Sequence, residues 1–126
     1  MYLLDTNAII NYLNNSLTPG GMLSMSNIVD DHSNISVITK MEALGYNFKT
    51  NEDQNTTEEF INGSTLLDIS NEVVNKTIVI RKSTKIDLPD AIIGATALVN
   101  NFILITSNLS DFKNIQGLKI VDPNNL

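Results

Sequence analysis

Short apolar runs alternate with polar turns and longer amphipathic stretches along the whole chain. Residues 2–4 have the length and composition of a buried strand. After the polar residues 5–7, apolar side chains return between residues 8 and 13 at helical spacing. We predict that this helix is broken at residues 18–21, which hold one proline and two glycines.

The rest of the chain repeats this alternation. Further strands are predicted at residues 35–37, 66–69, 102–106 and 118–121. Residues 30–34 are predicted to be a polar loop, and Thr39 with Glu42 fits a capping box that opens a helix through Leu44. The other helices are predicted at residues 22–29, 57–62, 71–85 and 87–99, the third of them despite the strand-like composition of residues 77–80.

Strands that alternate with helices from end to end indicate a mostly parallel central sheet with helices on both faces, a three-layer α/β/α fold. The 126 residues fit one domain spanning residues 1–126. The chain has no cysteine, which excludes disulfides, thiolate metal sites and cysteine nucleophiles. No signal-like segment or membrane-spanning apolar run is visible, so we expect a cytoplasmic protein without a membrane partner.

Polar candidates stand at four predicted strand-to-helix junctions. Asp5 follows the first strand, Glu42 and Asp90 lie in predicted first helical turns, and Asn108 and Asp111 follow the fourth strand. Taken singly, such acids are explained by helix capping and by the helix dipole. For Asp5 the capping and chemical explanations are evenly balanced, because a charge at the end of so apolar a strand risks burial.

A convergence of these acids would indicate a different role. Carboxylates about 4 Å apart repel one another by about 4 kcal/mol at an effective dielectric constant of 20. A cluster of that kind requires a cation, and an all-oxygen ligand set favours Mg²⁺ or Mn²⁺ over Zn²⁺. Such a site suits hydrolysis of a phosphodiester by a metal-activated water.

Four stretches carry a family resemblance: LLDTNAII, SVITKMEALGY, LPDAIIGATAL and LITSNLSDF. The sequence resembles PIN-domain ribonucleases, and most closely the VapC-type toxins of toxin–antitoxin pairs. The stretches occur in the family's order, so the resemblance covers essentially the whole chain. It implies a parallel-sheet fold whose acids converge on one or two Mg²⁺ or Mn²⁺ ions for RNA cleavage.

The resemblance also implies roles for individual residues. Asp5, Glu42 and Asp90 correspond to the acids that hold the metal. The fourth position of the family, often acidic, falls on Asn108, whose neutral amide adds no charge and weakens the case for a second ion.

Three further residues lie beside these positions. Asp111 is expected to assist the site through a water molecule. Thr6 and Thr106 stand next to the acids and resemble hydroxyls that orient them, although a structural role in the turns explains them nearly as well.

The partners implied by the resemblance are an RNA substrate, a cognate antitoxin and a second copy of the chain. The formal net charge of −6 argues against a protein that coats nucleic acid. Lys76, Arg81, Lys82 and Lys85 form a small basic cluster that can follow an RNA backbone. The alternative is that these cations simply lie on a solvated helix surface and bind nothing.

Two other features have more than one interpretation. His32 is interpreted as a loop residue and not as a catalytic base. The apolar stripe of residues 22, 25, 28 and 29 is either core or an edge of an antitoxin groove. The function hypotheses that compete with an endoribonuclease toxin are a PIN nuclease of RNA processing without an antitoxin and an inactive PIN fold that binds RNA or protein.

Overall fold

The computed structural model describes residues 1–126 and contains five strands, seven α-helices and one short 3₁₀ turn. The strands are β1 (Tyr2–Leu4), β2 (Asn34–Ser36), β3 (Thr65–Leu67), β4 (Ile103–Ile105) and β5 (Ile120–Val121). The helices are α1 (Thr6–Leu13), α2 (Pro19–Asp31), α3 (Val37–Leu44), α4 (Asn51–Asn62), α5 (Asn71–Ser83), α6 (Leu88–Val99) and α7 (Leu109–Phe112). The 3₁₀ turn spans Pro123–Asn125.

All strand pairs are parallel. Strand β4 pairs with β1 on one side and with β5 on the other, and β2 pairs separately with β3. Strand β2 lies beside β1, where the buried Asn34 Nδ2 donates a 3.0 Å hydrogen bond to the Tyr2 carbonyl oxygen. The molecule thus holds a three-stranded sheet in the order β1-β4-β5 and a two-stranded sheet β2-β3 that lies beside β1. The parallel pairing places the carboxyl ends of β1, β4 and β5 along one edge.

Apolar side chains fill both faces of this sheet. Consecutive strand residues point to opposite faces, so Leu3 joins the cluster formed with α5 and α6, while Leu4 joins the cluster formed with α1, α2 and α4. Leu104 and Ile105 divide between the two clusters in the same way. This arrangement confirms the predicted three-layer α/β/α architecture with a parallel sheet.

Helix α6 is the most deeply buried helix and packs through small side chains. A Cβ atom added at Gly94 would lie 2.7 Å from Cδ1 of Ile115 and 3.6 Å from Cδ2 of Leu118. Glycine at this position therefore lets the helix approach the segment that leads into β5.

The predicted break at residues 18–21 is wrong. Helix α1 ends earlier, at Leu13, and Asn15 adopts a left-handed φ of 56°. Pro19 occupies the first turn of α2, where its missing N–H is no loss, and Thr18 caps that helix by accepting a 3.0 Å hydrogen bond from the Gly21 N–H. Residues 18–21 thus start a helix instead of ending one.

The predicted capping box in α3 is also wrong. Ser36 is the N-cap, and its Oγ accepts a 3.1 Å hydrogen bond from the Ile38 N–H. Val37 therefore begins the helix instead of ending the strand, and Thr39 is buried within it. Glu42 consequently lies in the second turn of α3, not in the first.

Other boundaries shift by a few residues. The loop predicted at residues 30–34 is shorter, because α2 continues through Asp31 and Asn34 belongs to β2. Helix α4 begins at Asn51, six residues before the predicted start at 57, where Thr50 caps it by accepting from the Asp53 N–H. Strands β3, β4 and β5 are shorter than predicted, and the four-residue α7 was not predicted. Helix α5 is confirmed as a helix through residues 77–80.

None of the helices combines the length and the apolar character that crossing a membrane would require.

Replacing Gly94 by valine is expected to lower the free energy of unfolding by about 1–3 kcal/mol, because the added side chain must displace Ile115. Gly20→Val is the matched control, since a Cβ at Gly20 meets no atom within 4 Å. Urea unfolding of both variants measures the difference. Equal stabilities would show that α6 does not depend on this close approach.

Candidate active site

A cleft of about 330 Å³ lies at the carboxyl ends of β1 and β4. It brings together every residue predicted from the sequence as an acid or amide of the site. No lysine or arginine lines it. The lining residues are Asp5, Thr6, Asn7, Ile10, Asn11, Glu42, Asp90, Asn108 and Asp111.

Asp5 is the most buried of these acids, with 3% of its surface exposed. Its N–H donates to the Ile105 carbonyl at 2.9 Å, which extends the pairing of β1 and β4 by one residue. Its Oδ1 accepts from the Thr6 N–H at 2.9 Å, so Asp5 does cap α1. Its Oδ2 accepts from Asn7 Nδ2 at 2.9 Å and from the Thr106 hydroxyl at 2.8 Å. Capping therefore accounts for only part of the environment of Asp5.

Thr106 is fully buried at the end of β4. While its hydroxyl donates to Asp5, the same oxygen accepts a 3.0 Å hydrogen bond from the Asn108 N–H. Its own N–H donates to the Val121 carbonyl at 3.0 Å. One threonine thus joins the buried carboxylate to β5 and to the loop that carries Asn108.

Thr6 and Glu42 are connected across two helices. The Thr6 hydroxyl donates to Glu42 Oε1 at 2.7 Å, and the hydroxyl of the buried Thr39 lies 3.2 Å from Thr6 Oγ1. The position of Glu42 in the second turn of α3 is what allows this contact. The hydrogen bond holds the Glu42 carboxylate on the same side of the sheet as Asp5.

Three polar residues near the site were not predicted from the sequence. Asn7 Oδ1 accepts from the Ser107 N–H at 2.8 Å, and Asn11 Nδ2 donates to Ser107 Oγ at 3.0 Å. These bonds join the first turns of α1 to the loop after β4. One signal in the sequence could have identified Asn7 and Asn11 as neighbours of the site. They are four residues apart on the helix that begins directly after Asp5, so both lie on the same face of that helix.

The negative charges in the cleft repel one another. Burial raises the pKa of Asp90 to about 6, with further contributions from the negative charges of Asp5, Asp111, Glu42 and Asp87. Burial also raises the pKa of Asp5, with a smaller contribution from Glu42, while hydrogen bonds from Thr106, Thr6 and Asn7 act in the opposite direction. A bound cation would relieve this repulsion.

The cleft matches a divalent cation in donor type and in charge. Its donors are carboxylate and amide oxygens, the ligands that Mg²⁺ and Mn²⁺ accept readily. The side chains do not yet converge, since no three of the acids are arranged so that they could hold one ion. Asp5 is fixed by its hydrogen bonds, whereas Glu42 and Asp111 are exposed and Asp90 is partly exposed, so these three have room to rotate toward an ion.

The predicted basic residues divide between two places. Lys85 lines a second cleft of about 280 Å³, which shares Asp90 and Asp111 with the acidic cleft. Arg81 and Lys82 are exposed in the last turn of α5 and line neither cleft, and Lys76 is exposed earlier on the same helix.

The other two sequence features are also located. His32 is the exposed C-cap of α2, outside the acidic cleft. The apolar stripe of α2 contributes the fully buried Met25 to the core, with Ile28 and Val29 packed around it.

The chain matches one known protein family over most of its length. The family model of the PIN domain matches residues 2–118, and the chain belongs to this family. The resemblance to PIN domains is thereby confirmed, and its narrower part, the resemblance to VapC-type toxins, agrees with the structural likenesses described next. A search of curated protein sequences gave no significant match.

Three solved structures illustrate the likeness. A DNA-bound VapBC from Salmonella typhimurium matches with 27% identity and a TM-score of 0.82 over 97% of each chain. A toxin–antitoxin complex from Klebsiella pneumoniae matches with 29% identity and a TM-score of 0.74 over 100% of each chain. FitAcB from Neisseria gonorrhoeae shares the fold, with 21% identity and a TM-score of 0.81 over 100% of each chain.

Removing the charge of Asp90 is expected to stabilise the metal-free protein at neutral pH only. The raised pKa means that, between pH 3.8 and about 6, the folded chain holds more protons than the unfolded chain. Stability must therefore fall as the pH rises through this window. At pH 7 in EDTA, Asp90→Asn should gain about 1–2 kcal/mol, an amount reduced by solvent screening, and at pH 4 almost nothing.

Urea unfolding of both proteins at the two pH values measures this difference. A gain of the same size at pH 4 and pH 7 would contradict the assigned repulsion.

Proposed function

We propose that the protein is a Mg²⁺- or Mn²⁺-dependent endoribonuclease and the toxin of a VapBC-type toxin–antitoxin pair. The observation that supports the proposal best is the acidic cleft itself, in which Asp5, Glu42 and Asp90 share one opening at the carboxyl edge of the sheet. The negative charges of Asp5 and Glu42 disfavour the ionised form of Asp90, so packing and helix capping alone do not explain why the three acids share one cleft. Binding a cation for phosphodiester chemistry provides an explanation.

In this proposal Asp5, Asp90 and Glu42 hold the ion. When bound, a divalent cation lowers the pKa of a water ligand and offsets the charge that develops on the phosphate. Asp5 provides a fixed carboxylate, because Thr6, Asn7 and Thr106 set its orientation before the ion arrives. The Thr6 hydroxyl keeps Glu42 facing the cleft.

The remaining polar residues have supporting roles. Asn108 contributes an amide without charge, which suits holding a water or the RNA more than binding a second ion tightly. Asp111 lines the cleft from the first turn of α7 and can accept a hydrogen bond from a water near Asp90. Lys85, which lines the neighbouring cleft that shares Asp90 and Asp111, would contact an RNA phosphate in this proposal. Arg81 and Lys82, exposed at the end of α5, would meet the backbone farther along.

The partners follow from the relatives. The Salmonella and Klebsiella structures are described as VapBC and toxin–antitoxin complexes, and each is covered almost completely by this chain. We therefore infer a protein antitoxin as the partner that restrains the nuclease.

A homodimer is supported by an exposed apolar stripe. Val74 and Ile78, four residues apart on α5, are 43% and 49% exposed. A second copy of the chain would remove this surface from water, which is favourable for apolar side chains.

Purified protein is expected to cleave RNA in Mg²⁺ or Mn²⁺ and to lose this activity in EDTA. Asp5→Asn and Asp90→Asn should each reduce the cleavage rate by about a hundredfold or more, since each removes a charge that would hold the ion. Total RNA incubated with each protein, followed by mapping of new 5′ ends, measures the activity.

Asp31→Asn is the matched control, because Asp31 is an exposed acid at the end of α2, outside the cleft. It should cleave at the unmodified rate. Cleavage that survives EDTA, or that persists in both cleft variants, would refute the metal mechanism.

A further inference from the structure

A third cleft of about 330 Å³ adjoins the acidic cleft along helix α1. Ile10 lines both clefts, so the two are neighbours on either side of this side chain. Unlike the acidic cleft, the third one combines apolar and aromatic walls with a lysine. It is lined by Ile10, Leu13, Asn14, Tyr46, Phe48, Lys49, Asp53 and Thr57.

Two aromatic rings form the outer wall of this cleft. Tyr46 and Phe48 pack edge to face, with ring centroids 5.4 Å apart and an interplanar angle of 78°. Tyr46 nevertheless remains 59% exposed. Tyr46 therefore packs against Phe48 and still leaves more than half of its surface open to the solvent.

Gly45 determines how the chain reaches this pair. A Cβ atom at Gly45 would lie 2.6 Å from the Met41 carbonyl oxygen, closer than side-chain carbons approach. The Gly45 N–H donates to the same carbonyl at 2.8 Å and ends α3. Helix α3 also carries Glu42, so the aromatic pair is attached directly to a helix of the acidic cleft.

The contents of the third cleft match one unstacked nucleobase and its phosphate. An aromatic face binds any base by stacking, and a nearby cation binds the backbone. Asn14 and Asp53 provide a donor and acceptors at the polar edge of the cleft. Lys49 is the only cation among the lining residues, and the negative charge of Asp53 repels a phosphate. The phosphate of the nucleotide is therefore expected at Lys49.

We propose that Tyr46, packed edge to face against Phe48, stacks on an unstacked base of single-stranded RNA next to the phosphodiester held in the acidic cleft. This inference rests on the proposed function, because it assigns the neighbouring nucleotide of the same substrate. A base can enter only if it is free of a duplex, so the site selects single-stranded RNA or an open loop. The shared wall at Ile10, which places this cleft beside the acidic one, and the presence of Lys49 in the lining favour RNA over a protein segment as the occupant.

Steady-state cleavage of a short single-stranded RNA of mixed sequence in Mn²⁺ tests the proposal. Tyr46→Ala should raise KM about tenfold with kcat nearly unchanged, a loss equal to about 1.4 kcal/mol and within the range of one base stacked on an aromatic ring. Tyr46→Phe keeps the ring and should behave as the unmodified protein. Leu23→Ala, at an apolar side chain on α2 that is 65% exposed against 59% for Tyr46, is the control for nonspecific effects and should leave KM unchanged.

A second measurement follows the stacking directly. The fluorescence of 2-aminopurine placed in the same RNA should be quenched on binding to the unmodified protein and to Tyr46→Phe, and not on binding to Tyr46→Ala. The same RNA in a duplex should be a poor substrate for all variants.

The outcomes separate this proposal from the proposed function. If the unmodified protein cleaves RNA and Tyr46→Ala has the same KM and the same quenching, the base site is refuted while the nuclease stands. A protein segment is then the remaining occupant of the aromatic cleft. If the unmodified protein cleaves no RNA in Mg²⁺ or Mn²⁺, the proposed function itself is refuted, and the base site with it.

Discussion

The burial of one carboxylate at the end of the first strand constrains the rest of the site. A buried charge is costly unless hydrogen bonds replace the water that it loses. Asp5 receives three such bonds, from the Thr6 N–H, the Asn7 amide and the Thr106 hydroxyl. The same bonds start α1 and join it to the end of β4. The contacts that satisfy the hydrogen-bonding capacity of the Asp5 carboxylate therefore also build this edge of the sheet.

The two apolar clusters keep this edge in position. Leu3 and Leu104 anchor β1 and β4 against α5 and α6, while Leu4 and Ile105 anchor the same strands against the opposite layer. Because both central strands are fixed on both faces, the groups that follow them have little freedom. Burial raises the pKa of the Asp90 carboxyl, and the negative charges of Asp5, Asp111, Glu42 and Asp87, which act on it from around this edge, raise it further.

Much of this arrangement could be predicted from the chain alone. The alternation of strands and helices predicts the layers, and each predicted acid or amide of the site lines the cleft at the carboxyl edge. The predicted Thr106, Arg81, Lys82 and Lys85 lie outside the lining of this cleft. For Asp5 the sequence supported capping and chemistry equally, and the structure shows why: one carboxylate oxygen caps α1 and the other faces Asn7 and Thr106. The local sequence pattern could not decide between capping and chemistry, because the one Asp5 side chain caps α1 and also faces the cleft.

Other features depend on contacts between distant residues and were missed for that reason. Glu42 was assigned to a first helical turn because Thr39 precedes it by three residues, yet Ser36 starts the helix and Glu42 instead meets Thr6. The Asn7 and Asn11 bonds to Ser107 join positions about a hundred residues apart. The same limit applies to the cation site, because motif order predicts which acids meet and not how closely their oxygens approach.

The central claim is that Asp5 and Asp90 hold a divalent cation. Its most direct test is a crystal structure of the protein grown with Mn²⁺, in which the anomalous scattering of the metal locates it independently of any assumed chemistry. We expect an anomalous peak in the acidic cleft, with carboxylate oxygens of Asp5 and Asp90 at ligating distance. A fully formed cleft without such a peak at millimolar Mn²⁺, or a peak bound only elsewhere on the chain, would contradict the account.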